Sequence, residues 1–353
     1  MRVLVVGPSW YGGWTELFVE SLDKLDIPNE VIYTNKIGVA LDNKGGVGYL
    51  AKNLIHKISP SFFDVVKKFL KSRAESRLIK IINSTNEGSR AVLFIWTPPN
   101  ADFLKRIKKL DPNLRLIFWL GEPLSRDASW RETLDLFDHI FVVDKEDWTG
   151  PLGASIYRKS SLLPLSSSAD IYYPTELTEE ELSRFGSDIS FVGLYKKGRA
   201  DALESLRDFD LRIYGHGWGD AESVSPRLSD KLFGPANLED MNKIFNASKI
   251  LISSLGVSFS KDLPTATQGV FSIALSGSFQ VGQYNPLTEE IFGDSVPLFS
   301  SKEELRELIG FYLKRPELRD ELSGRAREIA LKNTWDQRAQ KAVDVIESLT
   351  QAI

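Results

Sequence analysis

Apolar residues in this chain fall into two patterns that take turns. Short unbroken runs, "RVLVV", "AVLFIW", "LRLIFWL", "HIFVV", "DISFV", "LRIY", "KILIS" and "FQVGQ", read as strands buried on both faces. Between them lie segments with apolar positions every three or four residues, such as "TELFVESLDKL", "ADFLKRIKKL", "ADALESLRDF" and "NLEDMNKIF", which read as helices with one buried stripe. Strand and helix alternate along the chain, so the pattern predicts parallel α/β sheets, two Rossmann-like doubly wound domains in all. A Ser-, Pro- and acid-rich stretch without clear periodicity, residues 166–187, predicts the linker between a domain over 1–165 and one over 188–335. Serines 166–168 in that linker are expected to be solvated or to line a cleft.

In a parallel sheet the loops at the carboxyl ends of the strands open into a crevice where helix N-termini face an anion. Three consecutive strands deliver suitable groups there. "DISFVG" ends at Gly193 and is followed by Tyr195, Lys196, Lys197 and Arg199, cations suited to a diphosphate. "LRIY" ends in Gly215, His216, Gly217, Trp218 and Gly219, where glycines permit close backbone approach and Trp218 offers a ring for a base or sugar. "KILISS" ends in the hydroxyls of Ser253 and Ser254. Farther on, Thr267 and Gln268 open the helix "VFSIALSGS" with hydroxyl and amide groups. In the first domain Glu122 ends a nearly all-apolar strand, where a carboxylate serves either as general base toward an acceptor hydroxyl or as a turn cap. Asp144 and Asp147 are a lesser candidate pair, and His139 reads as a packed side chain.

From Asp188 to about Asp336 the chain resembles the C-terminal domain of group 1 glycosyltransferases, closest to the branch that includes the spore-maturation protein CgeB. The resemblance rests on "DISFVGLY" with Arg199, "DLRIYGHGW", "GPANLEDMNKIFNASKILIS", "VFSIALSGSFQV" and the closing "NTWDQRA". It implies a GT-B architecture, two α/β domains facing a cleft, with the helix 336–353 packing back on the first domain. It implies transfer of a sugar from a nucleotide diphosphate sugar to a hydroxyl acceptor, with Arg199 and Lys196 countering the diphosphate charge and no metal or other cofactor. On the same resemblance Phe233 and Gly234 lie in the loop that holds the nucleobase, just before a helix, and Gly12, Gly13 and Trp14 lie on the acceptor side. Leu163-Pro164, Asp170 and Tyr173-Pro174 resemble the family's hinge. One departure is plain. Where that branch has an Arg-x-Phe-Glu signature whose glutamate grips the donor ribose, this chain has Gly269-Val270-Phe271-Ser272, leaving only a serine hydroxyl. A binding-only protein that has lost catalysis is therefore an alternative.

Composition narrows the partners. The 353 residues carry a net charge of −4, which argues against nucleic-acid binding through global charge. A Lys- and Arg-rich helical stretch over 52–80 nonetheless offers a basic face, either solvated or set against an anionic membrane or acidic partner. It also keeps open a second alternative, a transferase that modifies nucleic acid. With no cysteine, disulfides and thiolate chemistry are excluded. No apolar run approaches a membrane span and the chain opens directly on a strand, so a cytoplasmic protein is expected.

Overall fold

A computed structural model of the chain describes residues 2–9, 13–34, 75–76, 78–80, 89–96, 98–121, 131–148, 150–219, 226–256 and 267–351. The chain divides into two compact units, Met1–Leu163 with Arg338–Ile353, and Pro164–Gln337. Each holds one wholly parallel sheet flanked by helices.

In the first unit the strands are β1 (Arg2–Gly7), β2 (Asn29–Tyr33), β3 (Ser89–Trp96), β4 (Arg115–Leu120), β5 (His139–Val142) and β6 (Ser160–Leu162), in the spatial order β2-β1-β3-β4-β5-β6. The unbroken apolar runs are needed because both faces are covered. Leu4, Val6, Phe94 and Phe118 meet Phe103, Leu104 and Ile107 of the helix Ala101–Leu110. On the opposite face the Phe18 ring stands edge-on to Trp119, with centroids 5.3 Å apart. Each such fully buried large side chain contributes roughly 1.5–3 kcal/mol. Trp119 keeps its one polar atom satisfied by donating to the Leu163 carbonyl at 3.1 Å. Arg115 donates to the Leu349 carbonyl at 2.9 Å, fastening the last helix, Trp335–Gln351, to this unit.

In the second unit β7 (Ser187–Val192), β8 (Leu211–Tyr214), β9 (Ser248–Ser253), β10 (Gln280–Gln283) and β11 (Leu298–Phe299) lie in the order β11-β10-β9-β7-β8. Asn237 caps the helix Leu238–Ala247 by accepting from the Asp240 amide at 2.8 Å. Ser301 caps the helix Lys302–Leu313, but the Glu304 carboxylate closes onto the Ser300 amide and not onto Ser301. A complete capping box forms at Thr178 and Glu181, opening the helix Glu179–Phe185 inside the stretch expected to be an irregular linker. The expectation of solvated or cleft-lining linker serines is also corrected. Ser166 and Ser167 are wholly buried, because Ser166 donates to the Asn333 carbonyl and the Ser167 carbonyl accepts the Trp335 amide.

His139 stands where β5 begins, its ring 4.9 Å from Phe141 and its Nε2 2.9 Å from the Ser161 hydroxyl. Burial lowers its pKa from 6.5 to about 4. The folded form therefore binds this proton less readily than the unfolded chain, so the stability tied to neutral His139 is complete above pH 6.5 and is lost as pH falls toward 4. His139→Gln should flatten this part of the stability curve, measured as thermal midpoint between pH 7 and 4. A slope unchanged by the substitution would contradict the assignment.

Candidate functional site

The site grows from the carboxyl ends of β7, β8 and β9. Gly193 follows β7 and its amide donates to the Tyr214 carbonyl at 2.9 Å. Gly215 follows β8 with φ +145°, and a Cβ there would lie 2.0 Å from the Gly193 carbonyl oxygen. No other residue fits that contact. The Trp218 indole donates to the same oxygen at 2.8 Å and stands edge-on to Phe191 and Tyr195. The Tyr195 amide donates to the His216 carbonyl at 2.9 Å, so the two loops are zipped together past the ends of their strands.

Beside this clamp lies a cavity of about 180 Å³ bordered by Phe191, Gly193, Arg199, Met241, Phe245, Ser253, Ser254, Thr267 and Gly269. Arg199 is the one charged residue among its described lining. Its Nε donates to the Leu255 carbonyl at 2.6 Å and its Nη1 to the Leu194 carbonyl at 2.9 Å, which joins the β7 loop to the β9 loop. Burial pushes the guanidinium pKa down from its ordinary value, yet an arginine keeps its charge. Ser253 is 3% exposed and its hydroxyl has no hydrogen-bond partner. Ser254 holds φ +52° and its hydroxyl pairs with that of Thr267 at 3.1 Å. Thr267 stands at the N-cap of the helix Gln268–Leu275 but makes no side-chain cap bond, so this helix end presents first-turn amides at the cavity border. A cation, a buried free hydroxyl and an uncapped helix N-terminus converge, and together they suit an anion.

Of the residues singled out from sequence, Gly193, Arg199, Ser253, Ser254 and Thr267 border the cavity. Gly215 acts on it through backbone packing. Lys196 and Lys197 are exposed at the start of the helix Lys197–Leu203 and His216 is exposed, so one cation of the three reaches the cavity: only Arg199, farther into the helix, turns back beneath the loop. Tyr195 packs on Trp218 and Gln268 lies in the helix beyond the cavity border. Trp218, expected to wall a base or sugar, is 2% exposed and serves the clamp instead. Phe233 and Gly234 are placed elsewhere. The Gly234 carbonyl accepts the Gly215 amide at 2.8 Å, while the Phe233 ring covers a separate cavity of about 110 Å³ with Tyr214, Pro235 and Asp240.

Ser272 corrects the expectation of a ribose contact. Its hydroxyl donates to the Gln268 carbonyl at 3.1 Å and pairs with that of Ser167 at 2.8 Å. It also bonds the Tyr172 phenol, which burial pushes up to about 12 despite that bond. Buried at 3% exposure and absent from the described lining of the cavity, Ser272 fastens the helix to the preceding segment. Gly269, read from sequence only as a lost arginine, lines the cavity, and a Cβ there would meet nothing nearer than Thr267 Oγ1 at 3.6 Å.

In the first unit Gly13 is the N-cap of the helix Trp14–Lys24, and Trp14 is buried against Trp96 at 4.9 Å between centroids. Glu122 and Gly12 lie outside the described residues, as does most of the basic 52–80 stretch. Asp144 spends one oxygen on the Glu146 amide at 3.2 Å, capping its own turn. Among the described residues no group of three or more His, Asp or Glu is arranged to hold a metal ion, and no helix is long and apolar enough to cross a membrane.

Gly215→Ala should destabilise the second unit by about 1–3 kcal/mol or more, since it adds backbone strain to a carbonyl clash. Denaturant unfolding would check this; a midpoint equal to the parent's would show that the clamp yields at no cost.

The glycosyl transferase-like family matches residues 199–344. No curated protein matches the chain in sequence. Among solved structures, sucrose-phosphate synthase from Thermosynechococcus elongatus superposes with a TM-score of 0.65 at 11% identity, covering 100% of each chain. An alpha-glucosyltransferase in complex with UDP-glucose and abasic DNA gives 0.61 at 12% identity, over 98% of this chain and 99% of that one. The lipopolysaccharide outer core galactosyltransferase WaaB gives 0.60 at 10% identity, over 98% and 99%. Residues 199–344 are thus similar to a glycosyl transferase-like domain, and the chain has the two-domain GT-B fold.

Proposed function

We propose that this chain is a metal-independent transferase that moves a sugar from a nucleotide diphosphate sugar to a hydroxyl acceptor, with the donor's diphosphate held in the Arg199 cavity. The observation that carries this reading is the convergence on that cavity of a fixed guanidinium, the unpartnered Ser253 hydroxyl and the uncapped start of the helix Gln268–Leu275. Those groups are arranged before any ligand arrives, so they stabilise charge on the departing diphosphate without a reorganisation cost. Carbonyl bonds occupy Nε and Nη1 of Arg199, leaving Nη2 to contact an oxyanion. The division of labour suggested is donor on the second unit and acceptor on the first. Structural neighbours bound to UDP-glucose or UDP make a uridine nucleotide the first donor to test. The closer tie to the CgeB-like branch and a cytoplasmic location belong to the same proposal, on the motifs quoted above.

The test is thermal unfolding against UDP, ADP, GDP and dTDP. A ligand that binds only the folded state at a hundred times its Kd adds roughly 2.7 kcal/mol, so one diphosphate should raise the midpoint clearly. Arg199→Ala should remove the shift, and Ser253→Ala should weaken binding about three- to tenfold, the worth of one hydrogen bond. If no diphosphate shifts the parent protein, the donor assignment is wrong.

A further inference from the structure

The loop that leaves β9 is fastened from several sides. Ser254 stands at φ +52°, a left-handed conformation that a residue with a Cβ keeps only where its neighbours impose it. One residue on, the Leu255 carbonyl accepts from Arg199 Nε at 2.6 Å. The nitrogen of that same peptide unit, the Gly256 amide, donates to Gln283 Oε1 at 2.8 Å. Arg199 and Gln283 thus grip the two ends of a single peptide plane. Gln283 closes β10, is 3% exposed and stands outside the described lining of the cavity. Its own backbone is fixed, since it pairs in register with Phe299 of β11 and the next amide, that of Tyr284, donates to the Phe299 carbonyl at 2.8 Å.

The peptide group is a rigid plane. Its carbonyl faces Arg199 only while its N–H faces the opposite way, toward Gln283. Deprived of that acceptor, the N–H is an unsatisfied donor in a half-buried residue, and rotating the plane toward another partner carries the Leu255 carbonyl away from the guanidinium. Gly256, having no Cβ, offers little resistance to such a rotation. The two bonds also reinforce each other, because an acceptor on a peptide N–H polarises the group toward its oxygen. We propose that Gln283 is a positioning residue for Arg199, locking the Leu255–Gly256 peptide so that the guanidinium keeps Nη2 turned to the anion. This rests on reading the cavity as the diphosphate site, and it assigns control of that site's affinity to a side chain outside its described lining.

Hydrogen exchange at Arg199 Nε, followed by NMR in the isotope-labelled full chain and assigned by its loss in Arg199→Ala, tests this together with calorimetric titration of UDP. In the parent the Nε–H should be protected. Gln283→Met, close in size but without the acceptor oxygen, should speed that exchange about three- to tenfold and weaken UDP binding by a similar factor, the worth of one hydrogen bond. Gln283→Glu, which keeps an acceptor oxygen, should leave the Nε–H protected. If Gln283→Met does not fold, Gln283→Asn takes its place, its shorter side chain drawing the acceptor back from Gly256. A merely structural Gln283 would lower the thermal midpoint of the variant and leave Arg199 exchange as in the parent, and that result overturns the proposal. Parent-like UDP affinity in a variant whose Nε exchange has risen overturns it as well, as does a parent Nε–H that exchanges as fast as an exposed arginine's. Failure of UDP to bind the parent protein strikes the donor reading instead, and the exchange rates, which need no nucleotide, still decide whether Gln283 sets Arg199.

Discussion

The second unit's site depends on a guanidinium that cannot give up its charge. Burying Arg199 would be prohibitive without partners, and its partners are two main-chain carbonyls, Leu194 and Leu255, from loops that follow different strands. One side chain therefore fixes the loop geometry and supplies the positive potential. The Gly193–Gly215–Trp218 clamp does the same for the neighbouring loops through backbone contact. Between them the rim of the sheet is held by hydrogen bonds that leave the Ser253 hydroxyl and the Arg199 Nη2 uncommitted, which is what preorganisation for a charged ligand requires.

Ser272 has a structural role in the second unit. Its hydroxyl sits between Ser167 and the Tyr172 phenol, and Tyr172 stacks on Phe245 at 5.6 Å. Phe245 in turn borders the cavity. The bond between segment 166–172 and the helix Gln268–Leu275 thus braces one wall of the cavity from behind. A glutamate here would bring a charge into a place where serine needs only three polar neighbours. The pattern Gly269–Ser272 reads in sequence as a defect; in the structure Ser272 fastens its helix and Gly269 leaves open room.

Most of the fold is legible in the sequence because buried parallel strands demand unbroken apolar runs, and every such run used above is a strand. The helix Glu179–Phe185 is missed because its signal is a cap and not a stripe: of its residues only Phe185 is buried. Within the site, glycines and Arg199 are legible because their chemistry is local. Trp218 misleads because an indole serves a core as well as a ligand, and only burial tells them apart.

The two units repeat one construction, a parallel sheet with a helix N-terminus near the end of an inner strand, and differ in what occupies that helix's opening turns. In the second unit these positions are Gln268 and Gly269, with Arg199 across the cavity, so the local field favours an anion. In the first, Thr15 and Glu16 fill the opening turn, and the field there opposes one. Backbone geometry alone makes both ends attractive to phosphate. The side chain in the first turn decides whether that attraction is used, and in this chain the decision goes opposite ways in the two sheets.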